Sequence, residues 1–256
     1  MSAHRWDPER YLTYAGERAR PFVELLARVD AEAPREVVDL GCGAGNLTAL
    51  LAQRWPGAHV VGVDSSPEMV AAASLVPGIE VQQGDVAQWS PTSQVDVLVS
   101  NATLQWVPGH LDLLPRLVGS VAPGGRLAFS VPGNFAEPSH TLRVELTAEA
   151  PYAEHTARVA SPDAHDAATY LDALRDLGCE VDAWETTYLH VLTGEDPVHA
   201  WISGTSLRPT LHALPVHLRP EFEAELRRRL SAAYPARHGS VTLPFRRVFA
   251  VARIPA

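Results

Sequence analysis

The stretch VVDLGCGAGNLTALL, residues 37–51, constrains this chain more than any other. A β-branched run enters Gly41, Gly43 and Gly45, and a helical pattern (Leu47, Leu50, Leu51, Arg54) follows with no spacer. Glycine is required where backbone turns through positive φ or where a ligand must lie against bare main chain. The spacing is G-x-G-x-G, and Asn46 stands where the dinucleotide fingerprint G-x-x-G ends in Gly or Ala. Alone, such a loop fits a tight strand-to-helix turn as well as a nucleotide site.

The rest of the chain supplies the sheet that such a loop needs. Short apolar or β-branched runs recur at 36–41, 59–64, 79–83, 95–100 and 126–131, most of them separated by helical patterns. This alternation predicts a parallel sheet covered on both faces. Phe22, Leu25, Leu26 and Val29 give an N-terminal amphipathic helix over 17–29. Ser66, Pro67 and Glu68 mark a helix start: a cap, a first-turn proline and a carboxylate favoured by the dipole. After Val131 four prolines (Pro132, Pro138, Pro151, Pro162) weaken the period, and 132–165 reads as an insertion over one face. A helix to Leu177 closed by Gly178, a strand at 181–192, a helical return over 195–237 and a last strand from Pro244 complete the pattern. The two late strands predict an antiparallel pair at one sheet edge. At 256 residues one elaborated α/β domain is expected.

Three carboxylates fall at ends of predicted strands, the edge where open parallel sheets bind ligands. Asp39 lies inside the first, Asp64 closes the second, and Asp85 follows the third in a GDV turn. Each taken singly is more often a solvated turn aspartate. Jointly they favour a nucleoside, with Asp64 offering two acceptors to a ribose diol and Asp85 one to an exocyclic amine. The chain has no lysine, which removes a phosphate-gripping G-K-[ST] loop. The expected ligand has ribose and adenine but little phosphate.

The 21 basic residues are therefore all arginine, and the net charge of -9 disfavours nucleic acid and anionic membrane as partners. Cys42 and Cys179 are too few for a disulfide framework, and no histidine spacing, His155 and His165 included, predicts a metal. With no apolar leader or span, a cytoplasmic setting is expected.

Together DLGCGAG at 39–45, Asp64, GD at 84–85 and PGG at 123–125 resemble the class I S-adenosylmethionine-dependent methyltransferases. That resemblance implies an α/β, Rossmann-like doubly wound, mostly parallel seven-stranded sheet with an antiparallel last strand and helical insertions forming a cap. It implies one domain over 1–256, with the cofactor core at about 36–131, and with 1–30, 132–165 and 195–237 as substrate-side lid and insertions. Gly41, Gly43 and Gly45 would lie under the methionine part of S-adenosylmethionine, Asp64 at the ribose, Asp85 at the adenine amine, Met69 on the adenine side and Asn101 beside the sulfonium. Asp39, Ser65 and Val86 complete the expected cofactor set.

Segments outside that motif (YLTYAGERARPFVELLARV, SNATLQWVPGH, GCEVDAWETTYLH, WISGTSLRP and PFRRVFAVAR) resemble members that esterify a small tricarboxylate, from about Trp6 to Arg253. The implied reaction is carboxyl O-methylation yielding S-adenosylhomocysteine, with no metal, by a monomer or weak homo-oligomer. A carboxylate with pKa near ~4 is already ionised and needs no general base. Guanidinium forks suit such an acid. The candidates for positioning and substrate binding are Tyr11, Arg18, Gln105, Trp106, Trp201, Arg208 and Arg246. Arg247 alternates with Arg246 on the last strand, so only one of them faces a given side. Arg227, Arg228 and Arg229 read as surface charge, and His110 as an exposed helix-start histidine. Other readings are methyl transfer to a different small molecule, an NAD-linked oxidoreductase, which Asn46 and Asp85 oppose, and a silent cofactor-binding module.

Overall fold

The computed structural model describes residues 15–159 and 161–256. Seven strands form one sheet: β1 (Glu36–Leu40), β2 (His59–Asp64), β3 (Glu80–Gln83), β4 (Val95–Asn101), β5 (Val121–Pro132), β6 (Glu180–Leu192) and β7 (Val241–Arg253). Their order is β3-β2-β1-β4-β5-β7-β6. β1 pairs parallel with β2 and β4, β2 with β3, and β4 with β5. β7 runs antiparallel to β5, with Phe129 opposite Ala250. The predicted doubly wound sheet and antiparallel last strand are thus present, with β6 and β7 adjacent at one end.

The strands buried on both faces are continuous apolar runs, as parallel strands under helices must be. Val37, Val38, Leu40, Val97, Leu98 and Val99 are all buried. The strand start that departs furthest from the sequence expectation is that of β5. β5 begins at Val121, not 126, because Val121 pairs with Val95 before the register shifts between Val95 and Val97. The PGG turn signal at 123–125 therefore lies inside a strand, at an irregularity that only the partner strand reveals.

The chain divides into two compact units. The first holds the described residues through Pro132 together with Ala164–Thr186 and Arg247–Ala256. Its core gathers Leu40, Val63, Leu98, Leu127, Phe129, Tyr170 and Val248. Helix α1 (Ala15–Ala27) buries Phe22, Leu25 and Leu26 and packs on β5. The helix Pro67–Ala73 starts as expected: the Ser66 hydroxyl oxygen accepts the Met69 N–H at 3.3 Å, with Pro67 in the first turn. Helix Ala167–Asp176 is capped by Asp166, whose Oδ1 accepts the Thr169 N–H at 2.8 Å.

The second unit, Gly133–Asp163 and Thr187–Arg246, is mainly helical. The helical return expected over 195–237 is broken into Pro197–Ser203, Arg208–Ala213, a 3-10 turn at Val216–Leu218 and Arg219–Ala233. Gly204 and the prolines 209, 215 and 220 cause the breaks, since proline is tolerated only in a first turn. Helix Pro138–Thr147 packs against Arg219–Ala233, and Tyr152 meets Phe222 edge to face at 5.0 Å. Among the described residues no helix is long and apolar enough to cross a membrane.

Candidate cofactor and active site

In the first unit, chain order reverses at β1, which lies between β2 and β4. Such a switch point opens a crevice beyond the carboxyl ends of the strands. The Gly41–Gly45 loop leaves β1 there, and Asn101 to Trp106, with a 3-10 turn at Leu104–Trp106, leaves β4. Side chains bind the two loops together. The Ser100 hydroxyl donates to the Leu40 carbonyl at 2.8 Å, and that of Thr103 lies 3.4 Å from the Gly41 carbonyl and 3.3 Å from that of Asn101.

Gly41 and Gly43 serve different ends. Both have positive φ, +82° and +56°. A Cβ on Gly41 would overlap the Thr103 side chain, so this glycine permits the close approach of the two loops. A Cβ on Gly43 would meet nothing within 4 Å. Its backbone therefore borders open space, as a site for a ligand on bare main chain requires.

The carboxylates flank this loop. Asp64 accepts the Gly43 N–H through Oδ2 and the Ser66 N–H through Oδ1, both at 2.9 Å. Burial raises its pKa, while these backbone N–H groups oppose the rise. Asp39 is almost fully buried, and its Oδ2 accepts the Thr48 hydroxyl at 2.7 Å. Burial pushes it up to about 7, and the charge of Asp64 adds to the effect. The Cys42 thiol between them is also raised, by burial first and then by both aspartates, and stays protonated at neutral pH. Asp64, held by the Gly43 and Ser66 N–H groups, leaves lone pairs on this edge for the donors of a ligand. Asp85 is exposed, with Oδ1 accepting the Ala87 N–H at 2.9 Å. Arg116, which no sequence motif marks, holds that turn by donating to the carbonyls of Val86 and Ala87 at 3.1 and 2.7 Å.

On the β4 side, Asn101 Oδ1 accepts the Ser130 hydroxyl at 2.6 Å, across a pair in register. Ala102 takes φ +55°, a strained conformation for a residue with a Cβ. Gln105 donates to the Ala102 carbonyl at 2.6 Å, while its buried Oε1 has no hydrogen-bond partner. An orphaned buried acceptor on the β4 turn, open backbone at Gly43 on the β1 turn and the acceptor oxygens of Asp64 fit a ligand carrying several donors, as an adenosine bearing an amino acid does.

The sequence-predicted cofactor residues Asp39, Gly41, Gly43, Gly45, Asp64, Ser65, Met69, Asp85, Val86 and Asn101 all belong to this first unit, at the carboxyl ends of β1, β2 and β4 or on the turns and helix starts after β1 to β3. Ser65 is exposed, whereas Met69 and Val86 are buried. Among the acid-side candidates, Tyr11 lies outside the described residues. Arg18 sits on α1 with its side chain outside them. Trp106 is half-buried in the 3-10 turn.

Trp201, Arg208 and Arg246 belong to the second unit. Trp201 is buried, with ring centres 4.5 Å from His190 and 5.6 Å from Phe245. Arg208 opens helix Arg208–Ala213, and Arg246 Nε donates to the Gly133 carbonyl at 2.8 Å. One expectation is corrected. His110 is 2% exposed, not a surface residue, and its Nε2 lies 2.6 Å from the Tyr170 hydroxyl. Arg227 pairs with Asp196 and Glu223, and Arg228 and Arg229 with Glu225.

A family model described as "Methyltransferase domain" matches residues 11–183. Fold and edge together thus define an S-adenosylmethionine-dependent methyltransferase of class I. The fold is shared with the YcgJ protein of Bacillus subtilis (TM-score 0.63, 11% identical, 93% of this chain and 99% of that one). It is shared also with an S-adenosylmethionine-dependent methyltransferase from Mesorhizobium loti (TM-score 0.53, 23% identical, 93% and 99%). A trans-aconitate 2-methyltransferase of Mycolicibacterium gilvum is 54% identical over 254 residues, 97% of this chain and 99% of that protein. The chain belongs to the trans-aconitate 2-methyltransferase family.

Proposed function

We propose that this chain transfers a methyl group from S-adenosylmethionine to one carboxylate of trans-aconitate, in the cytoplasm, giving the monomethyl ester and S-adenosylhomocysteine. The observation that carries the reading is the 54% identity to a trans-aconitate 2-methyltransferase over nearly both full lengths. The loop geometry supports the cofactor half of it.

When bound, the cofactor supplies an electrophilic methyl on a cationic sulfur. Gly43 leaves its backbone clear for the methionine part, and Gly41 and Gly45 shape the loop beneath. Asp64 accepts from the ribose hydroxyls with the lone pairs that Gly43 and Ser66 leave, and Asp85 accepts from the adenine amine. Met69, Val86 and Ser65 border the base. Asn101, with Oδ1 satisfied by Ser130, keeps its N–H2 for the ligand. Asp39 orients the start of the helix through Thr48.

The acid needs no general base, because a carboxylate is already the nucleophile at neutral pH. The chain's work is placement and exclusion of water. Orienting two reactants in this way is worth ~7 kcal/mol or more. Gln105 and Trp106 serve the acid from the β4 turn, and Tyr11, Arg18, Trp201, Arg208 and Arg246 supply walls and guanidinium donors, an assignment that rests on residue chemistry. The insertions 132–165 and 195–237 are the acid-side part of a single domain.

Incubation with methyl-labelled cofactor across aconitate isomers, citrate and isocitrate tests the reading. Label is expected on trans-aconitate, and its absence there contradicts it. Arg208→Ala is expected to raise KM for the acid with S-adenosylhomocysteine affinity nearly unchanged.

A further inference from the structure

Helix Pro138–Thr147 in the second unit is built inside out. Its buried positions are Ser139, His140, Arg143 and Leu146, one face by spacing, and three of the four are polar. Val144 on the other side is 45% exposed. A surface helix of a globular protein normally buries its apolar stripe, so an inverted one points to a polar interior with a task.

Arg143 is the centre of that interior. It is 3% exposed, and its Nη1 donates to the Thr210 hydroxyl oxygen at 3.0 Å. Its Nε is buried with no partner, and no carboxylate forms a salt bridge with it among the described residues. Burial alone shifts its pKa, downward. Arginine nevertheless stays charged at neutral pH. A buried cation paired only with a neutral hydroxyl is costly to the fold, and an anion is what removes the cost.

The neighbours agree. His140, 7% exposed, feels the Arg143 charge and, mainly through burial, is held at about 4. It is therefore neutral at pH 7 and does not repel the guanidinium strongly, and its Nδ1 has no partner. Ser139 Oγ and both amide atoms of Asn134, at the turn leading into the helix, are likewise buried and unpartnered. Arg143 differs in this from Arg229 in the same unit, which is paired with Glu149 and Glu225.

We propose that Arg143, with His140 and Thr210 beside it, is the anchor for a carboxylate of the acid substrate, the guanidinium fork receiving that group through its unpaired N–H. This rests on the proposed tricarboxylate reading, and the experiment separates the two. Wild type, Arg143→Met, Arg143→Lys and Thr210→Val are assayed for labelled methyl transfer to trans-aconitate. Each is also titrated with S-adenosylhomocysteine and melted with trans-aconitate, cis-aconitate, citrate, isocitrate and succinate.

The expected result is a KM for trans-aconitate raised at least tenfold in Arg143→Met and less in the other two, with S-adenosylhomocysteine affinity within twofold of wild type. Without acid, Arg143→Met is expected to melt at or above the wild-type temperature, which a purely structural arginine would not do. It is expected to lose the upward shift that the acid gives wild type. Esterification by wild type with KM unchanged in Arg143→Met overturns the anchor and leaves the reading intact. If wild type is stabilised by another acid of the panel, ignores trans-aconitate, and loses that stabilisation in Arg143→Met, the reading falls and the anchor stands. Should Arg143→Met not fold, unchanged KM in both Arg143→Lys and Thr210→Val overturns the proposal.

Discussion

The carboxylates at the switch point of the first unit and the buried guanidinium of the second are treated in opposite ways. At the switch point of the first, Asp39 is bonded to Thr48, Asp64 to two backbone N–H groups, and Asn101 to Ser130. In the second, Asn134, Ser139, His140 and Arg143 carry buried atoms with no partner. Side chains held by their own bonds are preorganised and keep their geometry before any ligand arrives, and of the first unit's site residues Gln105 alone keeps a buried acceptor, Oε1, without a partner among the described residues. Polar groups left incomplete inside a folded unit are instead a record of what that unit is built to receive.

Gly41 and Gly43 carry the largest expected effects in the first unit. Gly41→Ala places a methyl into Thr103 at φ +82°, and the conformation costs ~1–2 kcal/mol with a similar amount for the overlap. The expected outcome by denaturant unfolding is a loss of about 3 kcal/mol. Gly43→Ala, with open space around its Cβ, is expected to lose only the conformational part, about 1 kcal/mol, while weakening S-adenosylhomocysteine binding in a titration by more than that. Equal stability losses in the two variants would remove the distinction between a packing glycine and a ligand-facing one.

Asp64→Ala comes next. Removing a charged acceptor is expected to weaken S-adenosylhomocysteine by ~1–3 kcal/mol. Asp64→Asn should recover less than half of that loss, since an amide cannot accept with both positions.

The smallest effects are in pH, and they run in opposite directions. Asp39 at about 7 lies above the ordinary carboxyl value of 3.8, so folding favours its protonated form. Its stabilising contribution relative to Asp39→Asn is full below about pH 4 and is lost as pH rises toward 7. His140 at about 4 lies below the ordinary 6.5, so folding favours its neutral form. Its contribution relative to His140→Gln is full above pH 6.5 and is lost as pH falls toward 4. Melting temperatures of the three proteins from pH 4 to 8 check both signs.

How much of this is legible in sequence depends on the range of the cause. The Gly41–Gly45 loop and the Ser66–Pro67–Glu68 helix start read correctly because a few adjacent residues determine them. The start of β5 did not, since the pairing of Val121 with Val95 and the shift that follows are properties of two strands. His110 read as exposed because its partner Tyr170 is sixty residues away. Arg116 was passed over for the same reason: it acts on the Asp85 turn thirty residues earlier. Arg143 was missed for a different one. Its helix has a weak apolar period, and Ser139, His140, Arg143 and Leu146 show a stripe only when polar residues are allowed on the inner face.

Methyl transfer to trans-aconitate is tested by a labelled-methyl product assay. The protein is mixed with trideuteromethyl-labelled S-adenosylmethionine and trans-aconitate, and the products are followed by mass spectrometry. One equivalent of trideuteromethyl monoester is expected for each S-adenosylhomocysteine released. S-adenosylhomocysteine without the ester, or neither product while the cofactor binds, would contradict it.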